Sequence, residues 1–116
     1  DHLDNSLAQS IIYKLDEPNI RSNIGVEDLR IVIETDGPDT ENHVKNGILL
    51  KGVQNSWVQG VTVLHFMYAA IYTRAATNVT VRDCQGLTPH SQITGARSYN
   101  FDVDAYSNNI LFEKCN

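Results

Sequence analysis

Two segments decide the fold: residues 23–33, which read NIGVEDLRIVI, and residues 55–65, which read NSWVQGVTVLH. In both, an Asn is followed by apolar residues at the third, sixth and eighth positions after it, and the segments are 32 residues apart. Shorter copies begin at Asn78 (NVTVRDC) and at Asn109 (NILFEKC), 31 residues apart. Self-similarity of this kind is the sequence signature of repeat architectures.

A second type of strand falls between these copies. It comprises residues 47–51, 70–74 and 99–104, in which apolar residues lie two positions apart, as in a half-buried strand. When Val61 is aligned with Val79, at an offset of 18, the repeats vary in length from 18 to 32 residues. Val, Ile and Thr number 28 of the 116 residues, which favours strands because branched side chains pack well on a pleated surface.

Three variable segments, residues 35–46, 65–69 and 85–94, separate these units and hold many of the Pro, His and charged residues. Strand-turn-strand units joined by variable loops are typical of a parallel β-helix, because a corner loop changes length without disturbing the stack. We therefore predict an all-β fold, a right-handed parallel β-helix (solenoid) of about four coils, rather than an antiparallel sandwich. The ladder of stacked inward side chains is expected to be Leu29, Val61, Val79 and Ile110.

The chain divides into two parts. Residues 1–20 read as an N-terminal cap or an incoming coil, with apolar residues at helical spacing and a possible strand that ends before Pro18, and residues 21–116 read as the β-helix coils. Because the open end of a β-helix exposes unpaired backbone and no cap signal surrounds Cys115, we expect a longer β-helix or another element that covers this end.

Composition excludes several classes of protein. Nine Lys and Arg against 14 Asp and Glu give a formal charge of −5, which argues against a nucleic-acid partner, since such proteins need a basic surface. No apolar run approaches the roughly 20 residues of a membrane span. Two cysteines are too few for a disulfide framework.

Several segments resemble those of secreted proteins with the pectin-lyase-like fold. Residues 24–31 (IGVEDLRI) resemble a GVENLRI segment of that family, and residues 93–101 (ITGARSYNF) are similar to an ITGGRRYSF segment of uncharacterised members. Further resemblance lies in residues 46–48, 57–63 and 78–84, so that it spans about residues 20–116. The family includes pectate and pectin lyases, polygalacturonases and non-catalytic β-helices. The Asn-Thr-Asp and Gly-Asp-Asp motifs of its enzymes are absent.

This resemblance implies an extracellular, carbohydrate-interacting β-helix segment of a larger protein, whose partner is an acidic or neutral polysaccharide. Two alternatives stay open. One is a polysaccharide lyase or glycoside hydrolase, and the other is a structural segment of a filament or sheath that associates end to end. Calcium-dependent cleavage of a uronate polymer would indicate the first alternative, and concentration-dependent assembly would indicate the second.

Candidate catalytic residues lie in the last units. Asp102 and Asp104 are two apart on one strand, so their carboxylates are expected on one face, about 6.5–7 Å apart, where they would bind Ca²⁺ or act as an acid-base pair. A solvated polar face is the alternative. β-helix lyases use an Arg as a base or to neutralise a uronate, which implies that role for Arg97. Arg74 and Arg82 would share its face as a basic row, or these arginines would pair with Asp83, Asp102 or Glu113.

Candidate ligand-binding residues are aromatic or imidazole side chains near these positions. Tyr72 and Tyr99 are candidates for stacking on sugar rings, with Arg74 beside them. Tyr68, Tyr106 and Trp57 are further candidates, although an aromatic stack between coils, in the core or at a corner, is expected for Trp57. His65 follows a predicted strand and is either a groove residue or a packed one, and the spacing of the four histidines predicts no metal site.

Two features concern covalent chemistry. Cys84 and Cys115 hold the same place in successive units, which permits either a disulfide or a ladder of free thiols. The sequence Asn78-Val79-Thr80 is an N-glycosylation motif, but Asn78 also fills the turn position shared with other repeats, and the turn role is the better interpretation.

Overall fold

The computed structural model describes residues 20–92 and 94–116, and within them the chain forms strands and no helix. The strands are β1 (Arg21–Ser22), β2 (Gly25–Glu27), β3 (Arg30–Val32), β4 (Asn46–Lys51), β5 (Val53–Gln59), β6 (Thr62–Leu64), β7 (Ala69–Arg74), β8 (Thr77–Arg82), β9 (Gln85–Leu87), β10 (Tyr99–Val103) and β11 (Asn108–Glu113). The all-β prediction is confirmed for this part of the chain. Apart from Ile20, the predicted N-terminal cap or incoming coil lies outside the described residues.

The described strands pair in parallel and form three sheets. Sheet A contains β1, β2, β5, β8 and β11, sheet B contains β3, β6 and β9, and sheet C contains β4, β7 and β10. From β2 onward the chain visits the sheets in the order A, B, C and then returns to A. Each strand pairs with the strand that occupies the same place in the next unit. This arrangement is compatible with a parallel β-helix and contradicts the antiparallel sandwich.

Residues with positive φ make the bends between sheets A and B. Asp28 (φ 53°), Gly60 (φ 64°) and Asp83 (φ 52°) occupy the same place in successive units. Glycine adopts the left-handed region freely, and aspartate tolerates it better than most other residues do. A Cβ on Gly60 would lie 2.6 Å from Asp28 Oδ1, so a side chain at this position would have to displace the end of that carboxylate.

A second series of left-handed residues crosses sheet A. Asn55, Asn78 and Asn109 have φ values of 50°, 54° and 53°. The side-chain amide of Asn78 donates to Asn55 Oδ1 at 3.1 Å, and that of Asn109 donates to Asn78 Oδ1. We call this column the asparagine ladder. Asn78, for which a turn role before a strand is predicted, lies inside β8 with this left-handed backbone and bonds the equivalent residue of each neighbouring strand.

The register of sheet A differs from the expected one. The offset between units is 32 residues from β1 to β5, 23 from β5 to β8 and 31 from β8 to β11. Val79 therefore lies between Ser56 and Ile110, whereas Val61 belongs to the bend that leads into sheet B. The predicted ladder of Leu29, Val61, Val79 and Ile110 is wrong. It failed because the segments before and after Gly60 have similar patterns, so that Val79 was aligned with the wrong one.

The observed core is built from aligned branched side chains. In sheet A, Val26, Val58, Val81 and Phe112 are consecutive register partners, and Val58 and Val81 are fully buried. The other sheets contribute the following fully buried residues: Val63 in sheet B, Ile71 and Thr73 in sheet C, and Phe66 between them. Burial of these surfaces is the main favourable term in folding.

Changes in connection length are concentrated where the chain passes from sheet B to sheet C. Residues 33–45, 65–68 and 88–98 make these three connections, and we call the region they form the B–C corner. The predicted variable segments overlap these connections and are in that respect correct. They are wrong at their ends, which extend into β4, β7 and β9. The B–C corner leads directly into the strands of sheet C, and it thereby brings long loops beside one sheet face.

Candidate ligand-binding surface

The outward face of sheet C carries the largest group of predicted site residues. In β7, Ile71 and Thr73 are buried, whereas the alternate residues Tyr72 and Arg74 reach solvent. Tyr72 is the register partner of Asp102 in β10. The alternation of a strand thus places Tyr72, Arg74 and Asp102 on one face, with Asp104 immediately after β10.

Each aspartate on this face accepts a hydrogen bond from a tyrosine. Tyr68, the last residue of the connection before β7, donates its hydroxyl to Asp102 Oδ2 at 2.7 Å. Tyr72 donates its hydroxyl to Asp104 Oδ2. These bonds run from β7 and the residue before it to β10 and the residue after it, so they tie neighbouring strands together through side chains as well as backbone.

Three tyrosine rings lie in contact along the same face. The Tyr68 ring meets Tyr72 edge to face, with centroids 5.5 Å apart, and meets Tyr99 in the same way at 5.7 Å. Tyr99 is 45% exposed and is the most accessible of the three. We call the group of Tyr68, Tyr72, Tyr99, Asp102 and Asp104 the tyrosine–aspartate surface.

The charges of this surface are fixed by the same hydrogen bonds. The bond to Asp102, aided by desolvation, raises the pKa of Tyr68 to about 12. The bond to Asp104 raises the pKa of Tyr72. The bond from Tyr72 lowers the pKa of Asp104, and the Arg74 guanidinium, 3.6 Å away, acts in the same direction. At neutral pH the two phenols therefore stay protonated as donors, while Asp104 stays ionised.

Arg97 is not part of this surface. It lies in the connection 88–98 and forms an ion pair with Glu41 of the connection 33–45, with Nη2 to Oε2 at 3.2 Å. Arg97 Nη1 also donates to Thr94 Oγ1 at 2.8 Å. This pairing lowers the pKa of Glu41, so both groups are charged and bound to each other. Its direct role is to join two loops of the B–C corner.

The basic row suggested for Arg74, Arg82 and Arg97 is not formed. Arg74 lies in sheet C beside Asp104, and Arg82 lies in sheet A, where it pairs with Glu113 at 2.7 Å. The alternative interpretation, pairing with Asp83, Asp102 or Glu113, names a partner that is found only for Arg82, since Arg74 pairs with Asp104 and Arg97 pairs with Glu41. The sequence did not reveal these partners because the partners lie on different units of the chain.

His65 lies at the B–C corner, where it stacks on His90 with ring centroids 4.0 Å apart and planes 15° from parallel. Both rings line a groove of about 690 Å³, together with Val32, Ile33, Glu34, Thr35, Asp36, Gly37 and Asn42. The groove position is the first of the two interpretations made for His65. His90 was not singled out, because it lies in an irregular loop with no periodic pattern.

Two other predicted features lie away from the ligand-binding surface. Cys84 and Cys115 are free thiols at equivalent places, and burial raises the pKa of the Cys84 thiol. Trp57 is 39% exposed, which excludes the core position that was one of the two expected for it. Its indole covers the face of Gly25, where any side chain would clash, and its Nε1 donates to Glu27 Oε1 at 2.7 Å.

The described residues contain neither a cluster of potential metal ligands nor a membrane-spanning helix. Within residues 20–92 and 94–116, no cluster of three or more His, Cys, Asp or Glu side chains is arranged to hold a metal ion. Asp102 and Asp104 as Ca²⁺ ligands stay a prediction, as does glycosylation of Asn78, which is exposed but engaged in the asparagine ladder. The same residues include no helix with the length and apolar content needed to cross a bilayer.

Comparison of the chain with protein-family models, with curated proteins and with solved structures found no match.

Proposed function

We propose that the chain is a segment of an extracellular, right-handed parallel β-helix that binds a carbohydrate on the tyrosine–aspartate surface. The parallel sheets, visited in the order A, B and C, support the β-helix. The pectin-lyase-like resemblance of residues 20–116 supports the handedness, the extracellular location and the class of ligand.

The observation that carries the proposal is the contact of three tyrosine rings beside two carboxylates. An aromatic ring offers an apolar face to the C–H groups of a sugar, and a phenol or a carboxylate exchanges hydrogen bonds with its hydroxyls. Tyr99 is the exposed ring, and Asp102 and Asp104 are already oriented by Tyr68 and Tyr72. A ligand would therefore meet groups that lose little side-chain freedom on binding.

The charges favour a neutral glycan over an acidic one. Arg74 is the cation nearest to the surface, and it already lies 3.6 Å from Asp104. Arg97, which would neutralise a uronate in an acidic polymer, is bound to Glu41. A uronate would thus meet two aspartates, while the guanidinium groups of Arg74 and Arg97 are each already paired with a carboxylate. Like charges at short range repel each other.

The same contacts give less support to the enzymatic alternative. Asp102 and Asp104 accept tyrosine hydroxyls, and the Arg97 ion pair lies in the loops of the B–C corner. The catalytic roles of Arg97, Asp102 and Asp104 therefore stay predictions and are not included in the proposal.

Calorimetric titration with neutral β-glucan oligosaccharides and with oligogalacturonides tests the proposal. We expect saturable binding of a neutral oligosaccharide, at least tenfold weaker in Tyr99→Ala, because a stacked aromatic pair contributes about 1 kcal/mol beyond its buried area. Tyr106→Ala is the matched control, since Tyr106 is 56% exposed but lies in the connection after β10. An equal loss of affinity in both variants would reject this surface. Preference for the uronate would reject the neutral ligand class, and end-to-end assembly without binding would favour the structural alternative.

A further inference from the structure

The two long connections of the B–C corner meet through a pair of histidines. His90, in the connection 88–98, stacks on His65, in the short connection between them, at 4.0 Å. His90 Nδ1 lies 2.5 Å from the hydroxyl oxygen of Thr35, in the connection 33–45. His65 Nδ1 lies 3.3 Å from the carbonyl oxygen of Ile33. The two imidazoles thus link all three connections, and we call this unit the histidine clasp.

The surroundings of the clasp contain charges of both signs. His43, from the connection 33–45, lies close enough to His90 to oppose its protonation, and both of its ring nitrogens are buried without a hydrogen-bond partner. Asp39 favours protonation of His90, and Glu41 is occupied by Arg97. Glu34 and Asp36 line the groove beside the stack. Among the described residues, no carboxylate is hydrogen-bonded to either ring of the stack.

We propose that the histidine clasp is a pH-sensitive latch that holds the connections 33–45 and 88–98 together when its rings are neutral and releases them when they are protonated. Two neutral imidazoles stack face to face without penalty. Two imidazolium ions 4.0 Å apart repel each other.

The direction of the pH effect follows from burial. Desolvation, followed by the nearby His65 and His43, lowers the pKa of His90 from its ordinary value of 6.5. A histidine whose pKa is lower in the closed arrangement than in the open one binds protons more readily in the open one. The closed arrangement therefore has its full stability above about pH 6.5, and it loses stability as the pH falls below that value.

Release of the clasp would reach the sheet C face. The amide of Ser98 donates to the Met67 carbonyl at 3.1 Å, and that of Tyr99 donates to the Tyr68 carbonyl at 2.8 Å. The loop that contains His90 therefore ends at the exposed ring of the tyrosine–aspartate surface. An effect on glycan affinity rests on the proposed function, whereas opening of the loops does not.

Hydrogen exchange of the full chain, followed by mass spectrometry at pH 7.5 and pH 5.0 and corrected for the intrinsic rate, tests the latch without any ligand. The amides of His90 and Ser98, which donate to Phe66 and Met67 at 3.0 Å and 3.1 Å, are the reporters. We expect their exchange to rise about tenfold at pH 5.0 relative to the amides of β8, the internal control. Equal exchange of the loop at both pH values would overturn the proposal.

Variants and NMR identify the titrating group. In His90→Gln, an uncharged side chain replaces the ring, and we expect loop exchange to become independent of pH. Retention of the wild-type pH dependence in this variant would reject the role of His90. In the wild-type chain, the Cε1–H resonance of His90 should titrate with the same midpoint as the loop exchange. A loop transition that does not coincide with this resonance also rejects the latch, even if a variant does not fold.

Discussion

At the scale of single residues, two hydrogen bonds from phenols to carboxylates hold the tyrosine–aspartate surface in place. Each bond fixes the protonation state of its donor and the orientation of its acceptor. These effects are measurable without knowledge of the ligand, because they appear in the titration of the free protein.

The phenol of Tyr68 is expected to ionise last among the tyrosines whose pKa is known to be perturbed, since the hydrogen bond to Asp102 raises its pKa to about 12. Spectrophotometric titration at 295 nm, over the pH range in which the circular dichroism spectrum is retained, should show a late-ionising phenol in the wild-type chain. Tyr68→Phe should remove that phenol and leave the earlier ionisations unchanged. Loss of an early ionisation instead would contradict the hydrogen bond.

Asp104 should stabilise the protein at neutral pH and lose this contribution in acid. Its pKa is lowered in the folded chain from an ordinary value of 3.8, chiefly by the bond from Tyr72, so its contribution is present above that value and disappears as the pH falls through the folded pKa. Urea unfolding between pH 6 and pH 2.5 should show a smaller decline in unfolding free energy for Asp104→Asn than for wild type. Parallel declines in the two proteins would show that the bond adds no stability.

Burial distinguishes two valines that the sequence pattern does not. Val81 is fully buried between Val58 and Phe112, whereas Val103 is 45% exposed. Val81→Ala removes packed methyl groups and should lower the unfolding free energy by about 2 kcal/mol. Val103→Ala, the matched control, should change it by no more than about 0.5 kcal/mol. Similar losses in urea unfolding would contradict the register of sheet A.

At the scale of elements, the asparagine ladder joins local backbone conformation to strand register. Asn78→Ala places a residue that disfavours the left-handed region at φ 54° and removes two side-chain hydrogen bonds. We therefore expect the unfolding free energy to fall by about 2 kcal/mol. Asn78→Gly removes the same bonds but accepts the left-handed backbone, so it should be about 1 kcal/mol more stable than the alanine variant. Denaturant unfolding of both variants provides the measurement, and a glycine variant no better than the alanine one would contradict the backbone contribution.

Element type could be predicted from the sequence because it depends on local patterns. The Asn near the start of β5, β8 and β11 and the alternation of apolar residues both act over a few positions. Register depends on which residues of neighbouring strands pair with each other. The segments on either side of Gly60 have similar apolar patterns, so the pattern alone does not show which of them pairs with residues 77–82. An alignment of Asn55 with Asn78 leads to the observed offset of 23.

The candidate surface could be predicted as a set of residue types but not as a set of contacts. Tyr72, Tyr99, Asp102 and Asp104 were all identified from the sequence, since they occupy strand-like segments. The bond from Tyr68 to Asp102 joins residues 34 positions apart, and the pairing of Arg97 with Glu41 joins two irregular loops. Neither follows from any periodic pattern, because each depends on the length of intervening loops.

At the scale of the whole molecule, unit length changes mainly at one corner. Deletion of residues 35–43 would make the first sheet B to sheet C connection similar in length to the second, residues 65–68. Loop-closure entropy depends only weakly on length, so we expect cooperative unfolding with a change in free energy within about 1 kcal/mol. The variant should lose the Glu41 pairing with Arg97. Non-cooperative unfolding would show that the loop is part of the core.

That same corner makes the chain a scaffold for grafting. The strands before and after each corner loop are positioned by their neighbours in the sheets, and all three loops connect sheet B to sheet C. A foreign peptide spliced in place of residues 35–43 would be displayed beside a native loop at a fixed spacing, since neighbouring strands lie about 4.8 Å apart. Two cassettes inserted in successive units would therefore form a paired display, in which the scaffold sets the distance and each insert sets the chemistry.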